Sequence, residues 1–211
     1  EHIGLSFAAA LRSLFRQDPD VIMIGEIRDK ETARIAVQAA LTGHLVLSTL
    51  HTNDAPSSVT RLVNIGVDAY LIAASLNAIL AQRLVRKVCP KCKESYKVEG
   101  NVRKHVEAAG LDPDNLIRGK GCESCRDSGY SGRVGIYEFL TVDEYFRGMI
   151  NRDSSVDNMR RAFRKTKQPS LFDDGIMKLK KGLTTIDEVL RVTQASGHSE
   201  SEADGEQQSQ S

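Results

Sequence analysis

The sequence predicts an α/β fold: a parallel sheet flanked by helices, with a small four-cysteine subdomain and a C-terminal helical region attached. Three observations lead there. Two short apolar runs, 21–24 and 44–50, enclose a stretch with helical spacing, the strand, helix, strand order of a parallel unit. All four cysteines stand in two CxxC pairs, 89/92 and 122/125. Beyond residue 142 the apolar positions recur at three- and four-residue intervals between turn residues.

Taken in order, 4–16 reads as a helix with Ser6 as its cap and Leu11, Leu14 and Phe15 on one face. Asp18 and Pro19 end it. The run Val21–Ile24, mostly branched and bounded by Pro19 and Gly25, reads as a strand buried on both faces. Glu26 follows at its carboxyl end, the edge where an open α/β sheet binds ligands. Over 30–42, Ala33, Ala36, Val37, Ala40 and Leu41 share a helical face, and Gly43 is a natural stop. The strand 44–50 then delivers His51 to the same edge as Glu26, about one strand spacing (~5 Å) away if the strands are neighbours. Thr52 to Asp54 offer caps for a helix over 55–65, with Val59, Leu62 and Val63 inward and Gly66 at its end. The longest helical pattern, 68–87, repeats Leu71, Ile72, Leu76, Ile79, Leu80 and Leu84 and is expected to be largely buried; Arg83 and Arg86 near its end read as solvated.

The composition changes at Cys89. A polar insert with a short helix over 102–109 and a turn at Asp112-Pro113 separates the two cysteine pairs. Glycines 129, 132 and 135 suggest tight turns around a short strand, 134–140. The stretch 143–167 reads as one basic helix. Its cluster Arg160, Arg161, Arg164 and Lys165 lacks interleaved aromatics and fits a wet helix face better than a nucleic-acid platform. A further helix, 170–181, ends at Gly182, and Thr185 with Glu188 forms a capping box for 186–192. From Ala195 the chain is Ser, Gln, Gly and acidic residues, which bury no apolar area and are expected to be disordered. The expected organisation is therefore 1–88, 89–133, 134–194 and a tail, 195–211.

Composition narrows the function. With 211 residues and 40% hydrophobic content the chain can bury a core, although aromatics are 5% and Trp is missing. A net charge of +1 gives no global field of the kind that marks nucleic-acid or membrane-surface binders. No apolar run approaches the ~20 residues of a membrane span and no signal peptide is visible. The first residue is Glu1 rather than Met, as expected of a piece of a longer chain.

Two constellations carry chemistry. Two residues inside each CxxC let Cys89, Cys92, Cys122 and Cys125 converge tetrahedrally on one ion at ~2.3 Å. Disulfide or redox chemistry is the alternative, but a chain without a secretory signal is expected where thiols stay reduced. Four sulfurs leave no open position, so the expected ion is a structural Zn2+ that supplies folding energy to its subdomain. The second constellation is Glu26 with His51. Either residue alone would be an ordinary turn or structural residue; an acid and an imidazole at the ends of successive parallel strands are less easily dismissed.

The stretches DPDVIMIGEIRDKETA and TGHLVLSTLHTNDA, and more loosely AQRLVR, closely resemble the Walker B region, the histidine box and a family-like segment of the secretion ATPases. These general secretion pathway protein E-like motors drive type II secretion and type IV pilus assembly. The resemblance runs from about Gly4 to Gln194. It implies the C-terminal part of a RecA-like P-loop ATPase domain acting with ATP and Mg2+. Glu26 corresponds to the Walker B glutamate that orients the hydrolytic water, and Gly25 stands where many P-loop proteins place Asp. His44 and His51 correspond to the two histidines of the box, with His51 favoured because it lies at the strand's exit. Arg28 either steadies developing charge or pairs with a nearby acid, and the resemblance keeps open for Arg83 and Arg86, beside a solvated role, that an arginine near a subunit boundary reaches a neighbour's phosphates. The resemblance also implies a hexameric ring, cytoplasmic and peripheral to the inner membrane, pushing on a membrane platform protein, with no direct nucleic acid. Export or pilus-extension motors fit better than retraction motors, which lack the four-cysteine module. GxxxxGK[ST] and the acidic box of the family do not occur in this sequence, so the chain is expected to be inactive by itself. The competing reading is a zinc-stapled, non-catalytic module that contacts protein or nucleic acid through the basic cluster 160–167.

Overall fold

The computed structural model describes residues 10–11, 13–14 and 17–194. In chain order its elements are β1 (Val21–Ile24), α1 (Lys30–Leu41), β2 (Leu45–Ser48), α2 (Ala55–Ile65), α3 (Ala69–Ser75) and β3 (Ala78–Val88). Then come β4 (Lys93–Tyr96), α4 (Gly100–Ala108), β5 (Leu116–Gly119), a 3-10 turn (Glu123–Cys125) and β6 (Tyr130–Thr141). The chain closes with α5 (Glu144–Arg152), α6 (Val156–Lys165), α7 (Leu171–Lys180) and α8 (Ile186–Gln194). They fall into two compact units. One holds the described residues up to Leu80 with Phe139–Gln168, the other Ala81–Glu138 with those from Pro169 onward.

In the first unit β1 and β2 pair in parallel, Val21 opposite Leu45 through Ile24 opposite Ser48. The crossover is α1. Asp29 starts it by accepting the Thr32 N–H at 2.8 Å, and Gly43 (φ +102°) lets the chain turn back. Ile22 and Ile24 pack with Leu11 and with Ile35, Ala36 and Ala39 of α1. The expected burial of β1 on both faces is not found. Val21 (55% exposed) and Met23 (78%) point away from α1, because among the described residues only one face of this two-stranded sheet is covered. Of the helix expected over 4–16, Ala10, Leu11, Ser13 and Leu14 are helical; Ser6 and Phe15, like the tail 195–211, lie outside the described residues.

Two long helices expected from the sequence are each divided. The 68–87 pattern is helical only through Ser75. Leu76 is already extended (ψ 124°), and β3 follows. Along β3 burial alternates with period two, leaving Leu80 and Leu84 exposed and Val85 buried. Its apolar residues satisfy both periods, and pairing with β6 decides in favour of the strand. The 143–167 stretch breaks at Asp153, whose backbone is extended and whose carboxylate accepts the Ser155 N–H at 2.9 Å. That local turn competes with the helix and separates α5 from α6.

In the second unit β4 and β5 are antiparallel, Lys93 opposite Gly119. Val98, Val106, Leu116, Ile176, Leu179, Ile186 and Leu190 form its main core. A second cluster joins Val85, Ile136 and Leu171. The strand expected over 134–140 lies within β6, which starts earlier, at Tyr130. Of the three glycines expected in turns, Gly129 (φ +75°) precedes the strand, while Gly132 and Gly135 are inside it, the Tyr137 ring lying where a Gly135 Cβ would otherwise stand.

Candidate functional site

The ends of β1 and β2 are tied beyond the regular ladder. The Thr49 hydroxyl donates to the Gly25 carbonyl at 2.7 Å, and the Ile27 N–H donates to the Thr49 carbonyl at 3.1 Å. The Glu26 and His51 side chains therefore leave adjacent strands at the same edge, and Nε2 of His51 lies 3.1 Å from Oε2 of Glu26. Arg28 takes the other carboxylate oxygen, Oε1, at 2.6 Å. Arg28 thus pairs with a nearby acid, Glu26. The Arg28 hydrogen bond, with a smaller contribution from His51, holds the Glu26 carboxyl below the usual carboxylate range. All three side chains reach solvent, His51 most of all at 85% exposure.

His44 is elsewhere. Its Nδ1 lies 3.1 Å from both the Thr42 hydroxyl and the Ala39 carbonyl, at the entrance of β2. That is roughly 20 Å of extended chain from His51. The two histidines of the sequence pattern do not meet.

Sequence reasoning passed over what holds the far side of the His51 loop. Asp54 caps α2 by accepting the Ser57 N–H at 2.8 Å, and its second oxygen receives Nε of Arg160 at 2.8 Å. Arg160 thus leaves the solvated cluster it was expected to share with Arg161. The signal was present in part, since an acid at a helix N-cap is a common partner for a cation.

In the second unit the four cysteines converge. Their sulfurs all lie within 4.8 Å of one another. The Sγ separations are 4.0 Å for Cys89 and Cys122, 3.8 Å for Cys92 and Cys125, and 3.7 Å for Cys122 and Cys125. A tetrahedron with ~2.3 Å metal–sulfur bonds has edges of about 3.8 Å, so the set fits one four-coordinate ion, whereas a disulfide needs ~2.05 Å. The Gly121 N–H donates to Cys92 Sγ and the Cys122 N–H to Cys125 Sγ, each at 3.3 Å, as suits thiolate acceptors. Burial pushes the Cys92 thiol up to about 12. At Cys125 burial is outweighed by the N–H groups of Cys122 and Gly129, and that thiol comes down to about 6. A cation at the centre would relieve the cost of burying several thiolates together.

Arg86, expected to be solvated, belongs to a third cluster. Its backbone N–H and its guanidinium both reach the Glu188 carboxylate, at 2.9 and 2.8 Å, and it stacks over the Tyr130 ring. Arg191 donates twice to the same carboxylate, at 2.9 Å.

The family described as "Type II/IV secretion system protein" matches residues 1–191. The "Type II secretion system protein E" of Pseudomonas aeruginosa is 51% identical over 196 residues, 90% of this chain and 38% of that protein. The "Type IV pilus assembly ATPase PilB" of Myxococcus xanthus is 48% identical over 195 residues, 90% of this chain and 34% of that protein. The chain thus spans well under half the length of these relatives. Among solved structures, the pilus retraction motor PilT with bound ADP superposes with a TM-score of 0.62 at 27% identity, covering 89% of this chain and 43% of PilT. The α/β fold is shared with it.

Proposed function

The chain belongs to the type II/IV secretion system protein family, and from that premise we propose that it carries the acid and the imidazole of an ATP-hydrolysing motor for type II secretion or type IV pilus assembly. The observation that carries this reading is the 3.1 Å contact between Glu26 and His51 at the ends of adjacent parallel strands. Bound ATP and Mg2+ would supply the bond to be cleaved and the neutralising cation. Glu26, kept ionised by Arg28 and His51, accepts a hydrogen bond from the attacking water and orients it. His51 presents its Nε2–H to the carboxylate and leaves Nδ1 free to face a terminal phosphate. Arg28, largely exposed, can exchange Glu26 for phosphate oxygens. The sequence holds no GxxxxGK[ST] cradle, so tight nucleotide binding requires residues beyond those present. By itself the chain is expected to be inactive.

The four thiolates are assigned to a structural Zn2+, since the set is closed and its edges match a ZnS4 tetrahedron. The family further supports a hexameric ring peripheral to the inner membrane, acting on a membrane platform. No helix among the described residues is long and apolar enough to cross a membrane.

The test is phosphate release. This chain alone is expected to give none. A polypeptide extended upstream to the relatives' length is expected to hydrolyse ATP, with kcat lowered about a hundredfold or more by Glu26→Gln. Unchanged turnover in that variant, or turnover by the isolated chain that Glu26→Gln abolishes, would overturn the reading.

A further inference from the structure

We propose that Arg160 is the positioning residue of the His51 loop: through Asp54 it sets the imidazole against Glu26. Where the loop leaves β2 it is pinned by the Thr49 hydrogen bonds to Gly25 and Ile27. The His51 side chain, 85% exposed, has little packing of its own to hold it. The other side of the loop is fixed at the first turn of α2. There Thr52 and Ser58 share a hydroxyl hydrogen bond of 2.9 Å, and Asp54 caps the helix. Arg160 ties this turn to α6. Its Nε donates to Asp54 at 2.8 Å, and a terminal nitrogen reaches the Ser57 hydroxyl at 3.5 Å. A second tie, from the Thr60 hydroxyl to the Ser154 carbonyl, keeps α2 and the start of α6 in one register. The Asp54 and Arg160 side chains are 14% and 27% exposed, so their pair is less screened than the open contacts at Glu26. The geometry makes α6, more than a hundred residues downstream of the loop, part of the acid–imidazole arrangement.

The consequence for hydrolysis rests on the reading of Glu26 and His51 given above. The positioning itself does not, and it is measured without nucleotide. In the full chain, Glu26→Gln is expected to displace the side-chain 15N resonance of His51 at fixed pH. With Arg160→Gln in the background, that displacement is expected to shrink about two- to fivefold, the range a partly buried ion pair allows. Asp54→Asn should do the same. Asn is as good an N-cap as Asp, so this variant severs the charge pair while keeping α2 capped, and it carries the test if Arg160→Gln does not fold. The neighbouring Arg161→Gln should leave the displacement intact. An Arg160 that only stabilised the fold would lower the melting temperature and leave the effect of Glu26→Gln on His51 unchanged. That outcome, or an equal loss with Arg161→Gln, overturns the proposal. If the coupling is lost in the Arg160 and Asp54 variants while the extended protein shows no dependence on Glu26, the positioning holds and the ATPase reading falls.

Discussion

Replacing Glu188 by glutamine keeps the shape of the side chain and removes its charge. In the native protein this side chain is only 2% exposed, and its carboxylate receives four hydrogen bonds, two from Arg191 and two from Arg86. Burial alone would raise the carboxyl group. Arg191 and Arg86 outweigh it and bring the group from its ordinary 4.5 down to about 2. At ~1.4 kcal/mol per pH unit, that difference corresponds to roughly 3 kcal/mol of stability at neutral pH. The sign follows from the depressed value. As pH falls below about 4.5 the unfolded chain takes up the proton first, so the contribution is complete above that pH and is lost between there and about 2. Both arginines are about half exposed and can rehydrate once the charge is gone, so about 2–3 kcal/mol is expected from Glu188→Gln rather than the larger penalty of a wholly buried orphan. Urea unfolding followed through the amide resonances of α8 at pH 7, 5, 4 and 3 measures it. The gap between native protein and variant should be widest at pH 7 and close as the pH drops. Protonation of the thiolate cluster is common to both proteins and cancels in the difference. A gap below ~0.5 kcal/mol at pH 7, or one that stays constant down to pH 3, would refute the reasoning.

Metal analysis of the purified chain is expected to find roughly one zinc per molecule. Stripping it with a chelator should melt the amide resonances of β4, β5 and the 3-10 turn while those of β1 and β2 persist; retained order in the stripped protein would show that the ion is not structural. Gly129→Ala should destabilise the same region by about 2 kcal/mol or more. The φ of Gly129 is +75°, and a Cβ there would stand 2.5 Å from the Gly119 carbonyl oxygen, beside the Gly129 carbonyl that accepts the Cys89 N–H. Denaturant midpoints and zinc affinity both read the loss, and an alanine variant with native zinc affinity and midpoint would count against the close approach.

The parts of this structure that could be read in the sequence are those set by neighbours along the chain. Asp29 and Asp54 announce helices by capping them, Gly43 and Gly66 end helices by taking positive φ, and two residues between cysteines make a knuckle. The parts that could not be read depend on partners far away. Residues 78–88 carry apolar positions compatible with either period, and only β6, some fifty residues on, selects the strand. Thr185 does accept the Glu188 N–H at 3.3 Å, as a capping box requires, but the Glu188 carboxylate goes to Arg86, 102 positions earlier. Arg160 looked solvated for the same reason: its partner Asp54 is 106 positions away.

Glu26 and Glu188 show how burial alone separates chemistry from architecture. Each carboxylate meets two nitrogen-bearing partners, and each is held below the ordinary range. Glu188 is sealed; all its hydrogen-bonding capacity is committed, and releasing one arginine would leave a charge in a dry site. It can only hold structure. Glu26 is a third exposed, with partners more exposed still, and ion pairs of that kind hold only loosely because water competes for both ends. Arg28 and His51 therefore keep the acid ionised and aimed without binding it so firmly that a water molecule or a phosphate oxygen could not take their place. In the proposed hydrolysis the acid exchanges partners in each turnover, and contacts this weak would permit it. On that reading the loop carrying His51 gains its order from elsewhere, and the Asp54–Arg160 pair, 2.8 Å apart at the first turn of α2, is the contact proposed to supply it.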